Sequence, residues 1–127
     1  MEFNDTQAIY LQIADHFCDR ILKKQWKEGE KLPSIRDTAV QVEVNPNTVL
    51  RAYNFLQDLG IIQNKRGIGY FVSPDGFSRA MVHKKETFVN EELPKVFHTM
   101  DVLKMRTNDL DPYYDRYKKS TTNVANP

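Results

Sequence analysis

The side chains best suited to specific chemistry lie between residues 36 and 66. They are polar or cationic and comprise Arg36, Asn47, Thr48, Arg51, Lys65 and Arg66. Amide, hydroxyl and guanidinium groups form hydrogen bonds with base edges in the major groove of a duplex. Cationic groups also neutralise backbone phosphates. These residues would act together only if the intervening chain presents them on one surface.

Two short helices joined by a tight turn are predicted between Ser34 and Gly60. Ser34 can accept a hydrogen bond from the free amides of a helix start, and Asp37 completes a capping box. Asn45 is a good cap for the second helix, and Pro46 suits its first position. Gly60 ends that helix because glycine tolerates a left-handed backbone. The pattern predicts a helix-turn-helix.

The second helix of the pair has one apolar and one polar face. Val49, Tyr53 and Leu56 recur at helical spacing, which predicts that they pack into a core. The outward face of its first turns consists of Asn47, Thr48, Leu50, Arg51 and Asn54. Because no carboxylate follows until Asp58, this face suits insertion into a major groove.

A two-stranded β-hairpin is predicted next. Ile61–Gln63 and Tyr70–Val72 are rich in residues that favour strands. Between them, the run Lys65–Gly69 supplies two cations and two glycines. A glycine such as Gly67 permits a tight tip and close approach of the backbone to a ligand. Cations at the tip can face phosphate or a narrow minor groove. Two helices followed by such a hairpin form the order of a winged helix-turn-helix.

Several runs in this stretch together match the pattern of one family. They are Gly29–Arg36, Thr48–Val49 with Arg51–Tyr53, Leu59–Ile62 and Arg66–Val72. In these runs the sequence resembles the DNA-binding domain of GntR-family transcriptional regulators. The Asn45–Val49 run, together with a short C-terminal tail, resembles the YtrA subfamily in particular. The resemblance extends over roughly residues 8 to 118.

The resemblance implies a sequence-specific DNA-binding transcriptional regulator. We expect a repressor that binds an inverted-repeat operator as a homodimer. The residues expected to contact DNA are Ser34, Arg36, Asn45, Asn47, Thr48, Arg51, Lys65, Arg66 and Gly67. YtrA-like regulators often accompany transporter genes, but the resemblance specifies neither an operator nor an effector.

The sequence departs from the family pattern in the turn and on the second helix. Glu43 occupies a turn position where the family usually has glycine, so we expect a left-handed residue there at a cost of about 1 kcal/mol. Leu50 and Pro46 replace arginines that contact DNA in many relatives outside the subfamily. Base recognition must therefore depend on fewer side chains.

Composition restricts the class of protein. The chain has 127 residues and is 40% hydrophobic, which allows one compact domain plus an appendage. No signal peptide or membrane-spanning run is recognisable. The single cysteine, Cys18, excludes an internal disulfide and agrees with a cytoplasmic location. The net charge is only +1, whereas DNA-binding domains are often strongly basic.

The segments on either side of this stretch read as helical supports. Residues 7–24 are predicted to form a first helix, which completes a head of three helices and a hairpin at residues 1–75. Tyr10, Phe17 and Ile21 lie on its core-facing stripe. Trp26 in the connector that follows is expected to pack against this helix.

The remaining residues are predicted to form a short helical tail at residues 76–119, followed by a frayed segment at 120–127. A helix over residues 78–104 should be kinked or split at Pro94, and a last helix over 108–118 should begin after Thr107 or Asp111. The tail is too short for a core of its own. By resemblance it is the dimerisation element, with an apolar face of Phe88, Val89, Val96, Phe97, Met100 and Leu103.

Neither an enzyme nor a metalloprotein is indicated. His16, His83 and His98 lie far apart without other ligands at metal spacing. The Gly67–Gly69 run continues a strand and opens no helix, so it is not a phosphate loop. We therefore expect no catalytic residue, metal or cofactor. The alternative to a DNA-binding regulator is a winged-helix module that binds protein and no longer binds DNA, which the near-neutral charge favours.

Overall fold

The structure, a computed structural model, describes the backbone of residues 1–125 and the side chains of residues 1–122. It divides into two compact units, Met1–Glu86 and a second that begins at Thr87. The elements of the first unit are α1 (Ile9–Leu22), α2 (Ile35–Val42), α3 (Pro46–Asp58), β1 (Ile62–Lys65), β2 (Gly69–Val72) and α4 (Gly76–Thr87, which ends at the boundary). Beyond it follow a π-helical turn (Phe88–Glu92), α5 (Leu93–Val102), a 3-10 turn (Thr107–Leu110) and α6 (Asp111–Ala125). The predicted class, a mainly helical chain with one hairpin and C-terminal helices, is confirmed.

The two helices of the helix-turn-helix begin at the predicted caps. The Ser34 side chain accepts a hydrogen bond from the Asp37 amide at 3.0 Å, and the Asn45 side chain accepts one from the Asn47 amide at 2.8 Å. Each bond satisfies a donor that the start of a helix leaves free. Between the helices, Glu43 is left-handed with φ 56° and ψ 49°, as predicted for a residue that replaces glycine.

The core of the first unit lies between α1 and α3. It is formed by Ile13, Phe17, Ile21, Trp26, Leu32, Val49, Ala52, Tyr53, Leu56, Ile61, Ile62 and Val72, together with smaller residues. Phe17 lies at its centre, with its ring centroid 4.8 Å from that of Trp26 and 5.5 Å from that of Tyr53. The predicted packing of Trp26 against the first helix is thereby confirmed. Aromatic pairs at such distances add to the free energy gained by burial.

The hairpin is longer towards its tip than expected and is supported on its outer edge. β1 pairs with β2 in antiparallel register, with Ile62 opposite Val72 and Lys65 opposite Gly69. The connector after α1 contributes an unpredicted third segment, because the amide of Gly29 donates to the carbonyl of Val72 at 2.9 Å. Further bonds join Leu32 to Tyr70 and Val72 to Glu30. β2 therefore has backbone partners on both sides.

Helix α4 belongs to the first unit, so this unit ends one helix later than the expected boundary at Asp75. Gly76 and Ala80 are buried. Lys84 forms ion pairs with Asp15 and, at 3.4 Å, with Asp19 of α1. Burial lowers the pKa of Lys84, but the hydrogen bond to Asp15 and the two carboxylate charges outweigh it and raise that pKa above its usual value.

The second unit contains the helix interruption expected at Pro94, and it also contains a 3-10 turn that was not expected. The long helix expected over residues 78–104 is interrupted by the π-helical turn directly before α5. Pro94 explains the interruption, since proline has no amide hydrogen and its ring clashes with the carbonyl four residues earlier. α6 begins at Asp111 after a 3-10 turn and runs to Ala125, so residues 120–125 are helical where fraying was expected. Asn126 and Pro127 lie outside the described residues.

Candidate nucleic-acid interface

The outer face of α3 is the central surface of the site. Asn47, Leu50, Arg51 and Asn54 are exposed, and Thr48 is half-buried. The opposite face consists of Val49, Ala52, Tyr53 and Leu56, each 0% exposed. Because α3 is anchored so firmly along one side, the polar side chains of its other side project from a rigid support.

Arg51 lies against an aromatic ring that the sequence did not connect with it. Its guanidinium carbon is 4.2 Å from the centroid of the Tyr10 ring on α1. Tyr10 contacts the ring of Phe55 edge-on, with 6.1 Å between centroids. Helical spacing placed Tyr10 correctly at the α1 stripe, but only the packing of α1 on α3 brings it to Arg51. No sequence signal short of the tertiary structure could have identified this pair.

The start of α2 forms a second part of the surface. Ser34 and Arg36 are exposed there. The Ser34 oxygen already accepts a bond from an amide of its own helix, so its hydroxyl hydrogen is available to donate. The position of α2 relative to α3 is fixed by Tyr53, whose hydroxyl donates to the Pro33 carbonyl at 2.6 Å and lies 2.9 Å from the Thr38 hydroxyl oxygen.

Burial also changes the proton affinity of Tyr53. It raises the pKa of the phenol to about 12, against which the Thr38 hydrogen bond acts only in part. The phenol therefore remains a neutral hydrogen-bond donor throughout the physiological range of pH.

The wing tip forms the third part. Lys65, Arg66 and Gly67 are exposed. Gly67 has φ +78°, a left-handed conformation that glycine adopts readily. The amide of Ile68 donates to the Lys65 carbonyl at 2.8 Å and closes the turn. The Lys65 amine lies 4.5 Å from the centroid of the Phe71 ring. The sequence analysis did not predict this contact, although the hairpin pattern places Lys65 and Phe71 on one face.

The four cations of these three parts have no carboxylate partner. Among the residues whose side chains are described, the ion pairs are Arg79 with Asp75 at 2.6 Å and Lys84 with the two carboxylates of α1. The hydrogen bond from Arg79 lowers the pKa of the exposed Asp75 carboxyl. Arg36, Arg51, Lys65 and Arg66 therefore keep their charge available for an anionic ligand.

Metal ligands, a membrane-spanning helix or a reactive cysteine would mark other kinds of site. Within residues 1–122 no group of three or more His, Cys, Asp or Glu side chains could hold a metal ion. No helix among the described residues is long and apolar enough to cross a membrane. Cys18 is buried, and burial, aided by the charge of Asp15, raises the pKa of its thiol to about 12, so it is not a reactive thiolate.

Three helices, of which α2 and α3 form a helix-turn-helix, followed by a hairpin with a cationic tip define the class of winged helix-turn-helix DNA-binding proteins. Comparison with known proteins agrees. Residues 9–72 match the model of the bacterial regulatory proteins of the gntR family. The chain belongs to the GntR family of transcriptional regulators, which are DNA-binding proteins and not enzymes.

Two curated relatives from Bacillus subtilis refine the comparison. The chain is 44% identical to the HTH-type transcriptional regulator YhcF over 72 residues, or 57% of this chain and 60% of that protein. It is 39% identical to the HTH-type transcriptional repressor YtrA over 88 residues, or 69% of this chain and 67% of that protein. The matched region thus spans about two thirds of each relative. The resemblance to the YtrA subfamily is confirmed.

Solved structures share the fold beyond the head. A GntR-family regulator from Bacteroides thetaiotaomicron is 38% identical with a TM-score of 0.75, over 90% of this chain and 99% of that one. BusR from Streptococcus agalactiae, solved in complex with its busA-promoter DNA, has a TM-score of 0.59 over 91% of this chain and 55% of that one. At 22% identity, the second likeness concerns the fold alone.

Proposed function

We propose that this protein is a homodimeric repressor that binds an inverted-repeat operator. In each protomer α3 enters the major groove, the start of α2 contacts the phosphate backbone, and the wing tip contacts phosphate or a minor groove. Its site of action would then be chromosomal DNA in the cytoplasm. The role of repressor is suggested by the name of the YtrA relative, and the use of DNA as a ligand by the BusR complex.

The observation that supports this proposal most is the outer face of α3. A helix whose buried face is apolar needs no particular residues on its other face, yet here the exposed face offers two amides and one guanidinium. Asn47 and Arg51 lie one turn apart, so both can reach base edges along the groove. Amides pair well with adenine and guanidinium groups with guanine.

The first experiment separates base contacts from phosphate contacts. Operator duplexes are selected from a random pool with the full-length protein, and affinity is then measured by fluorescence anisotropy at several salt concentrations. Arg51→Ala should weaken operator binding by about 1–3 kcal/mol for each half-site and relax specificity at one base pair of each half-site. Arg36→Ala should instead weaken binding to all duplexes and make the salt slope on the operator shallower by about 1.8, because a dimer loses one phosphate contact in each head.

Lys85→Ala is the matched control, since it removes one exposed cation of α4 that lies outside the candidate interface. It should leave both quantities nearly unchanged. Equal weakening by Arg51→Ala on operator and random DNA would mean that Arg51 contacts phosphate and reads no base. An unchanged salt slope for Arg36→Ala would remove Arg36 from the phosphate contacts.

The wing is tested with Gly67→Val. The left-handed φ of this residue disfavours a branched side chain, while a Cβ there would meet no atom within 4 Å. The variant should therefore fold but present a distorted tip, and operator affinity should fall. Full affinity in a folded variant would show that the tip does not touch DNA.

Dimerisation is proposed from the apolar surface of the tail. Phe88, Val89, Val96, Phe97 and Leu103 are exposed in the single chain, and so are Val102 and three tyrosines of α6. A small monomer rarely exposes so much apolar surface. Such a surface is most often buried in a two-fold symmetric dimer. Met100 is only 5% exposed, so it supports the tail itself and offers little surface to a partner.

Sedimentation of the full chain tests the dimer directly. The wild type should sediment as a dimer at micromolar concentration, and Phe97→Asp should shift it towards monomer and lower operator affinity. His98→Asp, an exposed change on the same helix that also adds one negative charge, is the control. A wild type that remains monomeric at tens of micromolar would contradict the proposal.

Repression is tested by fusing the promoter of the protein's own operon to a reporter. Deletion of the gene should raise expression, and an inverted repeat upstream of that promoter should bind the protein. Lower expression after deletion would indicate an activator.

The net charge of +1 favours a second candidate, a winged-helix module that binds protein. Retention on heparin distinguishes the two. Salt-sensitive retention supports the DNA-binding proposal, whereas no retention at low salt supports the protein-binding module.

A further inference from the structure

We infer that Tyr10 is a positioning residue that orients Arg51 for base recognition. The inference rests on the proposed function, in which Arg51 contacts a base. Its own evidence is the placement of the Arg51 guanidinium carbon over the Tyr10 ring, 4.2 Å from the ring centroid. Tyr10 lies on α1, outside the helix-turn-helix itself.

The geometry leaves Arg51 free to recognise a base. A guanidinium that stacks on a ring uses its face, whereas its five N–H donors point outward in its own plane. A guanidinium in this arrangement can still donate two parallel hydrogen bonds to a guanine edge. An arginine with a preferred orientation also loses less rotamer freedom when it binds, so the stacking should favour the specific complex.

The ring is itself well placed to act as a support. Tyr10 is half-buried and contacts Phe55 edge-on at 6.1 Å. Phe55 in turn contacts the ring of His83 on α4 at 5.6 Å. Residues of α1, α3 and α4 thus hold the Tyr10 ring in place. The position of this ring therefore does not depend on the flexible side chain of Arg51.

Electrostatics explain why a ring suits this role better than a carboxylate. An acidic partner would also orient Arg51, but its negative charge would repel the nearby phosphates of bound DNA. The face of an aromatic ring attracts a cation without adding net charge. This difference matters in a stretch that has only four cations against three carboxylates between Leu32 and Ser73.

The test is a double-mutant cycle in the full-length protein, read as affinity for a selected operator and for random duplex. The variants are Tyr10→Leu, Tyr10→Phe, Arg51→Ala and the double variant Tyr10→Leu/Arg51→Ala. Leucine keeps apolar bulk but removes the ring, and phenylalanine keeps the ring. Thermal unfolding of each variant identifies any loss of stability.

Tyr10→Leu should lower the preference for operator over random DNA about two- to fivefold for each half-site. That range corresponds to about 0.5–1 kcal/mol, as for exposed cation–π pairs, at 1.4 kcal/mol per tenfold. Tyr10→Phe should retain the wild-type preference. When Arg51 is already alanine, Tyr10→Leu should cause no further loss, because its effect acts through the guanidinium.

Three results would overturn the inference. Equal losses from Tyr10→Leu with and without Arg51 would show that Tyr10 acts independently of it, although Arg51 could still read a base. A loss in Tyr10→Phe as large as in Tyr10→Leu would show that the ring face is not what matters. If Arg51→Ala leaves the operator preference unchanged, the proposed base contact fails and the role of Tyr10 fails with it.

Discussion

Replacement of Tyr53 by phenylalanine should weaken the joint between the two helices of the helix-turn-helix. Tyr53 is 0% exposed and its hydroxyl donates to the Pro33 carbonyl at 2.6 Å. The one hydroxyl hydrogen of tyrosine is used in that bond, so the Thr38 hydroxyl at 2.9 Å must donate to the Tyr53 oxygen. Removal of one oxygen therefore leaves two groups without their partner, one on α2 and one just before it.

The magnitude follows from what each group loses. A buried polar group left without a partner costs about 1–3 kcal/mol. Thr38 is 2% exposed, but its hydroxyl can turn to a carbonyl of its own helix, so its share should be at the lower end. We expect Tyr53→Phe to lower the free energy of unfolding by about 2 kcal/mol. For a unit of this size the melting temperature should fall by roughly 8–16 °C.

Urea unfolding of a double-mutant cycle with Thr38→Val isolates the bond between the two side chains. Thr38→Val alone should cost about 1 kcal/mol. In the Tyr53→Phe background it should cost much less, because the hydroxyl that it removes has already lost its acceptor. The coupling energy should therefore be about 1 kcal/mol. A value below about 0.3 kcal/mol, the usual error of additivity, would refute the reasoning.

Three further changes test local features of the head. Glu43→Gly should stabilise it by about 1 kcal/mol, because the left-handed backbone at φ 56° disfavours a side chain. Glu43→Gln removes only the charge, and an equal gain there would disprove a backbone cause. Gly76→Ala should destabilise by about 1–3 kcal/mol, since its Cβ would lie 2.7 Å from the Ile61 carbonyl oxygen; unchanged urea unfolding would show that α4 adjusts. Cys18 has its pKa raised from 9.0 to about 12 in the fold, so its stabilising contribution is complete below pH 9. It should be lost above that pH by about 1.4 kcal/mol per unit, a loss absent from Cys18→Ala. Parallel stability curves between pH 8 and pH 10.5 would contradict this.

Local chemistry explains why much of the fold was predictable. The caps at Ser34 and Asn45 depend on side chains and amides only two or three residues apart. The interruption before α5 follows from Pro94, and the left-handed backbone at Glu43 from a missing glycine. Each of these effects involves residues within about one helical turn of each other in the sequence. The interacting groups can therefore be recognised from the sequence alone.

The features that sequence reasoning missed join distant segments. The pairing of Gly29 with Val72 and the ion pair of Lys84 with Asp15 depend on how elements pack. The contact of Tyr10 with Arg51 also depends on packing. An aromatic residue at helical spacing indicates burial in a core, but it does not identify the side chain that it contacts. The pair Lys65 and Phe71 is different, because the register of a hairpin can be inferred from its tip and would have placed both on one face.

The placement of charge accounts for how a protein of net charge +1 could bind DNA, and salt dependence provides the measurement. Acidic groups of the head such as Asp15 and Asp75 are neutralised by Lys84 and Arg79, whereas the four cations of the candidate interface have no such partner. Each neutralised phosphate contributes about −0.9 to the slope of log K against log salt. With Arg51 on a base, the three phosphate contacts of Arg36, Lys65 and Arg66 predict a slope of about −2.7 for one head and about −5.4 for two heads on an inverted repeat. If Arg51 also neutralises a phosphate, these values become about −3.6 and −7.2. A measured operator slope near −3 would contradict the dimer, and a slope steeper than about −8 would require cations outside the surface described here.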